Sequence, residues 1–124
     1  MASYVTDRKR AQGLGSAKSG TGHHYQVQVT SAALVILVPL FVFTFGRVLG
    51  ESYEAVLLYY ARPFPAIVAA LTILVGMIHF RQGVQVLLED YTRGDLRHWS
   101  IVAAICACYA LAAAGLFALA RLAL

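Results

Sequence analysis

The sequence predicts an all-α membrane protein with three transmembrane helices. Of its 124 residues, 60 % are apolar and only 13 % are charged, and the mean hydropathy is +0.68. A soluble domain is typically about half apolar and about a quarter charged. This chain therefore has too few charges to cover a water-facing surface, which argues against a small soluble enzyme. Its apolar excess lies in three long runs, at 29–49, 64–88 and 101–124.

Each run is long enough to cross a bilayer, because about 20 apolar residues span the hydrocarbon core. The first contains Pro39, which a membrane helix tolerates with a kink. Pro63 and Pro65 mark the start of the second, where missing amide donors cost little. The chain thus divides into a polar tail, 1–28, and a membrane anchor, 29–124.

The positions of the basic residues predict the orientation. The net charge is +4, but most charges flank the apolar runs, so we expect no nucleic-acid partner. The tail and the loop between the second and third runs, 89–100, lie on the same side of the membrane. They hold Arg8, Lys9, Arg10, Lys18, Arg93 and Arg97. The other side holds Arg47, Arg62 and Arg121. The positive-inside rule then places the N-terminus in the cytoplasm and the C-terminus in the periplasm. A Met1 start with a short tail favours a bacterial inner membrane over an imported mitochondrial chain.

The second run contains three polar residues well inside it, His79, Arg81 and Gln82. Ionisable groups at this depth are costly, so they are expected to face a protein interior or a cofactor. Helical spacing places Gly83 and Asp90 on the same face as His79. Two interpretations of His79 stay open: a histidine hydrogen-bonded to a neighbouring helix, or an axial ligand to haem iron.

The end of the second run carries Asp90 and Tyr91. These are either interfacial anchors or part of a quinone site, where a phenol donates to a quinone carbonyl and a carboxylate relays protons. In the third run a small residue recurs every four positions, at Ala110, Ala114 and Ala118, which would allow close helix approach. Three helices are few for building a site, so we expect a partner subunit.

Taken together, the residues of 79–91, HFRQGVQVLLEDY, resemble the signature of the small hydrophobic membrane anchor subunit of succinate dehydrogenase, respiratory complex II. That family has three spans, an N-terminal cytoplasmic or matrix tail, and a histidine in span two. An Asp-Tyr pair follows the histidine eleven and twelve residues later, as it does here. The segment 15–34, GSAKSGTGHHYQVQVTSAAL, is also similar to the family's entry into span one.

The resemblance implies roles for these residues. His79 would be an axial ligand of haem b, shared with a cytochrome b556-type anchor subunit that supplies the other histidine. Tyr91 would hydrogen-bond ubiquinone, and Asp90 would support that site. Some members carry an arginine before span one that is missing here, which leaves His23, His24 and Arg81 as candidates for the haem propionates. Arg81 is equally placed to snorkel towards the interface.

The implied function is that of a non-catalytic anchor in succinate:ubiquinone oxidoreductase, linking the tricarboxylic acid cycle to electron transport. The tail would pack beneath the iron–sulfur subunit, which receives electrons from the flavoprotein subunit. The chain would do no succinate chemistry, since it has no flavin or iron–sulfur motif. Two alternatives remain: a fumarate reductase anchor, or a small non-haem scaffold or transporter subunit with a structural His79.

Overall fold

The computed structural model describes residues 6–13 and 20–124, and these fold entirely into helices and short turns. Lys18 and the side chains of Lys9 and Arg10, which contribute to the predicted orientation, lie outside the described residues, as does the start of the segment 15–34. The helices of the described part are α1 (Asp7–Gly13), α2 (Gly20–Gly46), α3 (Tyr53–Tyr60), α4 (Pro63–Tyr91) and α5 (Gly94–Ala123). Helices α2, α4 and α5 are long and apolar enough to span a membrane, which confirms the three predicted spans.

Helix α2 is longer than the apolar run that predicts it. It begins at Gly20, inside the segment predicted as polar tail, and continues unbroken through Pro39 to Gly46. Its 27 residues make a rod of about 40 Å, against a hydrocarbon core of about 30 Å. The polar first turns therefore extend beyond the apolar layer, because helix geometry does not stop where hydrophobicity stops.

The connection between the first two spans contains the short helix α3. Gly50 turns the chain with a φ of 87°, and Ser52 caps the helix by accepting the Ala55 amide at 3.3 Å. Tyr60, at the end of α3, is buried with Val48 and Ala69 in a small apolar core. Desolvation by burial, together with the neighbouring Tyr59, raises the pKa of the Tyr60 phenol above its usual 10.0.

Helix α4 lies between the other two spans. Among the described residues, α2 and α5 each pack on α4, and no Cα of one lies within 8 Å of a Cα of the other. At Gly115 the approach of α5 is close, since a Cβ there would lie 3.3 Å from Ile73 Cγ2. No more than 17 % of the most apolar stretch of any span is buried within the chain. Most of the helical surface is therefore available to lipid or to other subunits.

The small residues of α5 that contact α4 are not the ones singled out by the sequence pattern. Cys108 and Ala112 are buried and Gly115 is half-buried, in line along one side of α5. The stripe of Ala110, Ala114 and Ala118 is exposed. Within this chain the expected close approach is thus made by a different face.

A sharp turn joins α4 to α5, with Gly94 at a φ of 60°. Arg97 reaches back from α5 to the end of α4. Its Nη2 donates to the Glu89 carbonyl at 2.7 Å and its Nε to the Thr92 carbonyl at 2.9 Å. These carbonyls lack partners within their own helix, so the guanidinium caps the end of α4.

Candidate functional site

His79 lies on α4 about 18 Å along the helix axis from the end at Tyr91. It is half-buried, and its Nδ1 is 2.9 Å from the hydroxyl oxygen of Thr30 on α2. Among the described residues, no hydrogen bond reaches the other ring nitrogen, Nε2. The imidazole is therefore held from one side by a neighbouring helix, with its second nitrogen left for another partner.

The Thr30 hydroxyl is the centre of a polar cluster inside the apolar layer. Its oxygen lies 3.2 Å from Gln82 Oε1 and 3.0 Å from the backbone carbonyl oxygens of Gln26 and Val27. Gln82 is only 1 % exposed, and its Nε2 donates to Gln26 Oε1 at 3.5 Å. We call Thr30, His79, Gln82 and Gln26 the Thr30 cluster. Buried polar groups are costly unless they are paired, so these side chains hold one another in place.

Two glycines flank His79 on its own face of α4. Gly76 and Gly83 lie three residues before and four residues after it, within about 60° around the helix. A Cβ built on either glycine meets nothing within 4 Å. Gly83 and Val86 are exposed, whereas Gly76 and His79 are half-buried, so the described part of the chain covers this face only in part. An open, bulk-free strip beside an imidazole nitrogen fits a flat macrocycle bound through that nitrogen.

Asp90 and Tyr91 lie in the last turn of α4, about 16 Å and about 18 Å along the axis from His79. Both are exposed, Tyr91 to 81 %. Within the part of the chain that the structure describes, neither side chain makes a hydrogen bond. The fold thus presents this pair on the surface at one end of the bundle, without walls from its own helices. Any pocket there needs surface from beyond the described helices.

Arg81 points to the other side of α4 from His79. Two residues of helix turn the side chain by about 200°. Its Nη1 donates to the Tyr109 hydroxyl of α5 at 2.8 Å, and the guanidinium carbon lies 5.8 Å from that ring's centroid. Arg81 and Tyr109 also line a mostly apolar cavity of about 480 Å³ between α2, α4 and α5, which His79 does not line.

His23 and His24 lie in the first turns of α2, about 10 Å along its axis from Thr30. His24 is exposed and His23 is half-buried. The His23 Nε2 is buried without a hydrogen-bond partner among the described residues. The structure therefore does not bring either histidine into contact with His79, and the predicted propionate role of His23, His24 and Arg81 stays a prediction.

The sequence pattern pointed to His79 but not to the side chains that hold it. Thr30 is a single hydroxyl in an apolar run, and Tyr109 is a single phenol in another. Gln82 did carry a signal, because an amide in the middle of a span needs a partner. The pattern could not say that this partner is Thr30, 52 residues away along the chain.

Comparison with known proteins gives a consistent set of relatives. Residues 3–112 match the family described as succinate dehydrogenase/fumarate reductase transmembrane subunit. The chain is 44 % identical over 121 residues to a succinate dehydrogenase hydrophobic membrane anchor subunit of Paracoccus denitrificans, covering 98 % of this chain and 94 % of that one.

Two more distant relatives have the same description. One from Rickettsia bellii is 30 % identical over 96 residues, 76 % of each chain, and one from Rickettsia conorii is 30 % identical over 83 residues, 66 % of each. No solved structure matches the chain.

Proposed function

Because the chain belongs to the family of succinate dehydrogenase hydrophobic membrane anchor subunits, its role is to anchor that complex in the membrane, and we propose that it also binds haem b and ubiquinone. The haem proposal is supported by the side chains and glycines around His79. Its Nδ1 is bonded to Thr30 and its face of α4 is cleared by Gly76 and Gly83. This donor set suits a haem iron bound through Nε2.

Haem b, when bound, supplies a one-electron redox centre near the quinone site. His79 would hold the iron together with a histidine of a second, cytochrome b556-type anchor subunit. The open face of α4 supports a shared site, since the helices of this chain leave it uncovered. His23 and His24 are nearer to the predicted cytoplasmic side than Thr30 is, which suits a propionate contact. Arg81, turned towards Tyr109, suits it less.

Ubiquinone would be reduced at the end of α4. The reaction takes two electrons, which originate in succinate oxidation at the flavoprotein and arrive through the iron–sulfur subunit, and two protons. The Tyr91 hydroxyl would donate a hydrogen bond to one quinone carbonyl, and the Asp90 carboxylate would pass protons to the reduced oxygens. The exposure of both side chains supports a site completed by the iron–sulfur subunit and the second anchor subunit.

The same proposed function also gives the membrane and the orientation of the chain. We place the chain in a bacterial inner membrane, with the N-terminus and the α4–α5 turn on the cytoplasmic side, where the iron–sulfur subunit docks. The C-terminus would lie in the periplasm. The family description also covers fumarate reductase, but the relatives described above are all succinate dehydrogenase subunits, which favours ubiquinone reduction.

The test is purification of the native complex followed by a reduced-minus-oxidised optical spectrum. We expect flavoprotein and iron–sulfur subunits to co-purify with the chain and a haem b band to be present. His79→Ala should abolish that band or replace it with one of altered position. A variant complex that keeps an unchanged haem b band would refute the ligand assignment. Absence of both haem and an iron–sulfur partner from the native preparation would refute the proposal as a whole.

A further inference from the structure

We propose that Thr30 is a positioning residue that fixes the tautomer and the ring orientation of His79, so that the Nε2 lone pair faces the open side of α4. This inference rests on the proposed haem function, because it assigns how the iron ligand is held. It concerns residues of this chain only, and its carrying observation is the contact of 2.9 Å between Thr30 Oγ1 and His79 Nδ1.

A count of hydrogens around the Thr30 hydroxyl favours one direction for this bond. The hydroxyl has one hydrogen to donate and can accept from others. Its oxygen has three oxygen neighbours within 3.2 Å, namely Gln82 Oε1 and the carbonyls of Gln26 and Val27. All three are acceptors and compete for the single hydrogen. If His79 Nδ1 were an acceptor too, four acceptors would surround one hydrogen and no donor would face the hydroxyl lone pairs.

The opposite arrangement satisfies the cluster. When His79 carries its proton on Nδ1, the ring donates to Thr30, and Thr30 passes its own hydrogen to Gln82 or to a backbone carbonyl. A neutral imidazole has only one ring proton, so Nε2 is then unprotonated and available as a metal ligand. The same bond limits rotation of the ring about its Cβ–Cγ bond. The site of the ring proton, on Nδ1, and the direction in which Nε2 points are thus both fixed before the iron binds.

Gln82 keeps Thr30 in this geometry. It is the most deeply buried large side chain among the described residues, with 1 % of its surface exposed. Because its Nε2 donates to Gln26 Oε1 at 3.5 Å, its Oε1 is left on the side of Thr30. A buried amide with no partner is costly, so Gln82 favours the rotamer of Thr30 that places the hydroxyl between the two helices.

Thr30→Val tests the proposal, because valine has nearly the shape of threonine but no hydroxyl. The Nδ1–H of His79 would lose its acceptor, and the imidazole would become a weaker electron donor to the iron. Loss of a partner of this kind typically lowers metal affinity about 10- to 100-fold. We therefore expect a lower haem-to-flavin ratio in the purified complex, and an upward shift of the haem midpoint potential in the fraction that keeps haem.

The chain offers a matched control and a rescue. Thr44 lies on the same helix, is buried, and bonds only to the carbonyls of Leu40 and Phe41, so Thr44→Val removes the same kind of helical bond without touching His79. Thr30→Ser keeps the hydroxyl. We expect Thr44→Val and Thr30→Ser to keep the native haem content and potential. If Thr30→Val prevents assembly, Thr30→Ala provides the same comparison with less bulk in the interface.

The outcomes distinguish a failure of the role of Thr30 from a failure of the assignment of His79 as a haem ligand. Native haem content and potential in Thr30→Val, or equal changes in Thr30→Val and Thr44→Val, would overturn the role of Thr30. Failure of Thr30→Ser to restore the native potential would overturn it as well. In each of these cases His79→Ala still tests the ligand assignment independently. If His79→Ala leaves the haem unchanged, the proposed function fails, whatever Thr30 does.

Discussion

The polar side chains of α4 divide between two sides of one helix. His79 contacts α2 through Thr30, whereas Arg81, two residues later, contacts α5 through Tyr109. Arg81 thus finds a hydroxyl and an aromatic ring within its own chain, which lowers the cost of a cation at this depth. Adjacent polar residues in a span therefore serve different interfaces, and closeness in sequence alone does not make them one site.

Tyr91 is the residue on which quinone reduction is expected to depend most directly. Tyr91→Phe removes a hydroxyl from an exposed side chain that has no partner among the described residues, so the fold should be unaffected. We expect ubiquinone reduction to slow by about 2- to 12-fold, because one hydrogen bond to the substrate is worth about 0.5–1.5 kcal/mol. Electron transfer from succinate to an artificial dye, which bypasses the quinone, should be unchanged. Equal loss of both activities would indicate an assembly defect and contradict the quinone role.

At the level of helices, the structure differs most from the prediction in where the helices begin and end and in which of their faces are in contact. The prediction used only the pattern of neighbouring residues. Helix α2 extends back to Gly20, and the connection between the first two spans folds into the short helix α3. The alanine stripe of α5 is exposed, and Gly115 makes the close contact with Ile73 instead. An exposed face with small residues on the outside of the bundle is available to a neighbouring helix, in agreement with a shared membrane domain.

The end of α4 is held by Arg97, and this contact predicts an effect at a distance from the substrate. Arg97→Ala removes both bonds to the Glu89 and Thr92 carbonyls, so the last turn, which carries Asp90 and Tyr91, should fray. We expect a KM for ubiquinone raised several-fold with unchanged haem content, since His79 lies about 16 Å away. Steady-state assays with varied ubiquinone measure this.

Arg93 is the matched control for this variant. It lies in the same turn, is exposed, and makes no capping bond with its side chain. Arg93→Ala should leave the KM near its native value. If the two alanine variants raise the KM equally, the effect is one of local positive charge and not of helix capping.

The molecule as a whole is a membrane anchor, and its own helices leave most of its surface to lipid and partner subunits. Its apolar core is small, centred on Val48, Tyr60 and Ala69 at the end opposite Tyr91, and α4 is covered by α2 and α5 on two sides only. The side of α4 that carries Gly83, next to the half-buried His79, remains open. Such a chain is expected to be stable within its complex and poorly stable alone, because the open faces are completed by partner subunits and lipid.

The orientation of the whole chain is testable without the complex being purified. A reporter enzyme that is active only in the periplasm should be active when fused after Leu124, because three spans place the two ends on opposite sides. The same reporter fused after Thr92, in the α4–α5 turn, should be inactive. Activity of the second fusion together with inactivity of the first would reverse the proposed orientation and move Asp90 and Tyr91 to the periplasmic side.

The three spans, and the positions of His79, Asp90 and Tyr91 along the second of them, were predictable from the amino-acid sequence alone. It could do so because hydrophobicity and helical periodicity are local properties, readable from neighbouring residues. The spacing of these residues also carried the family resemblance, which the comparisons confirmed.

The surroundings of His79, in contrast, depend on how the helices pack in three dimensions. Thr30 and His79 are 49 residues apart, and Arg81 and Tyr109 are 28 apart. Their meeting depends on how far each helix is rotated and shifted against α4. In a membrane, apolar faces are all equally compatible with lipid, so hydrophobic pattern leaves that rotation open. Packing at Gly115 and the polar bonds of the Thr30 cluster supply the specificity that the apolar sequence lacks.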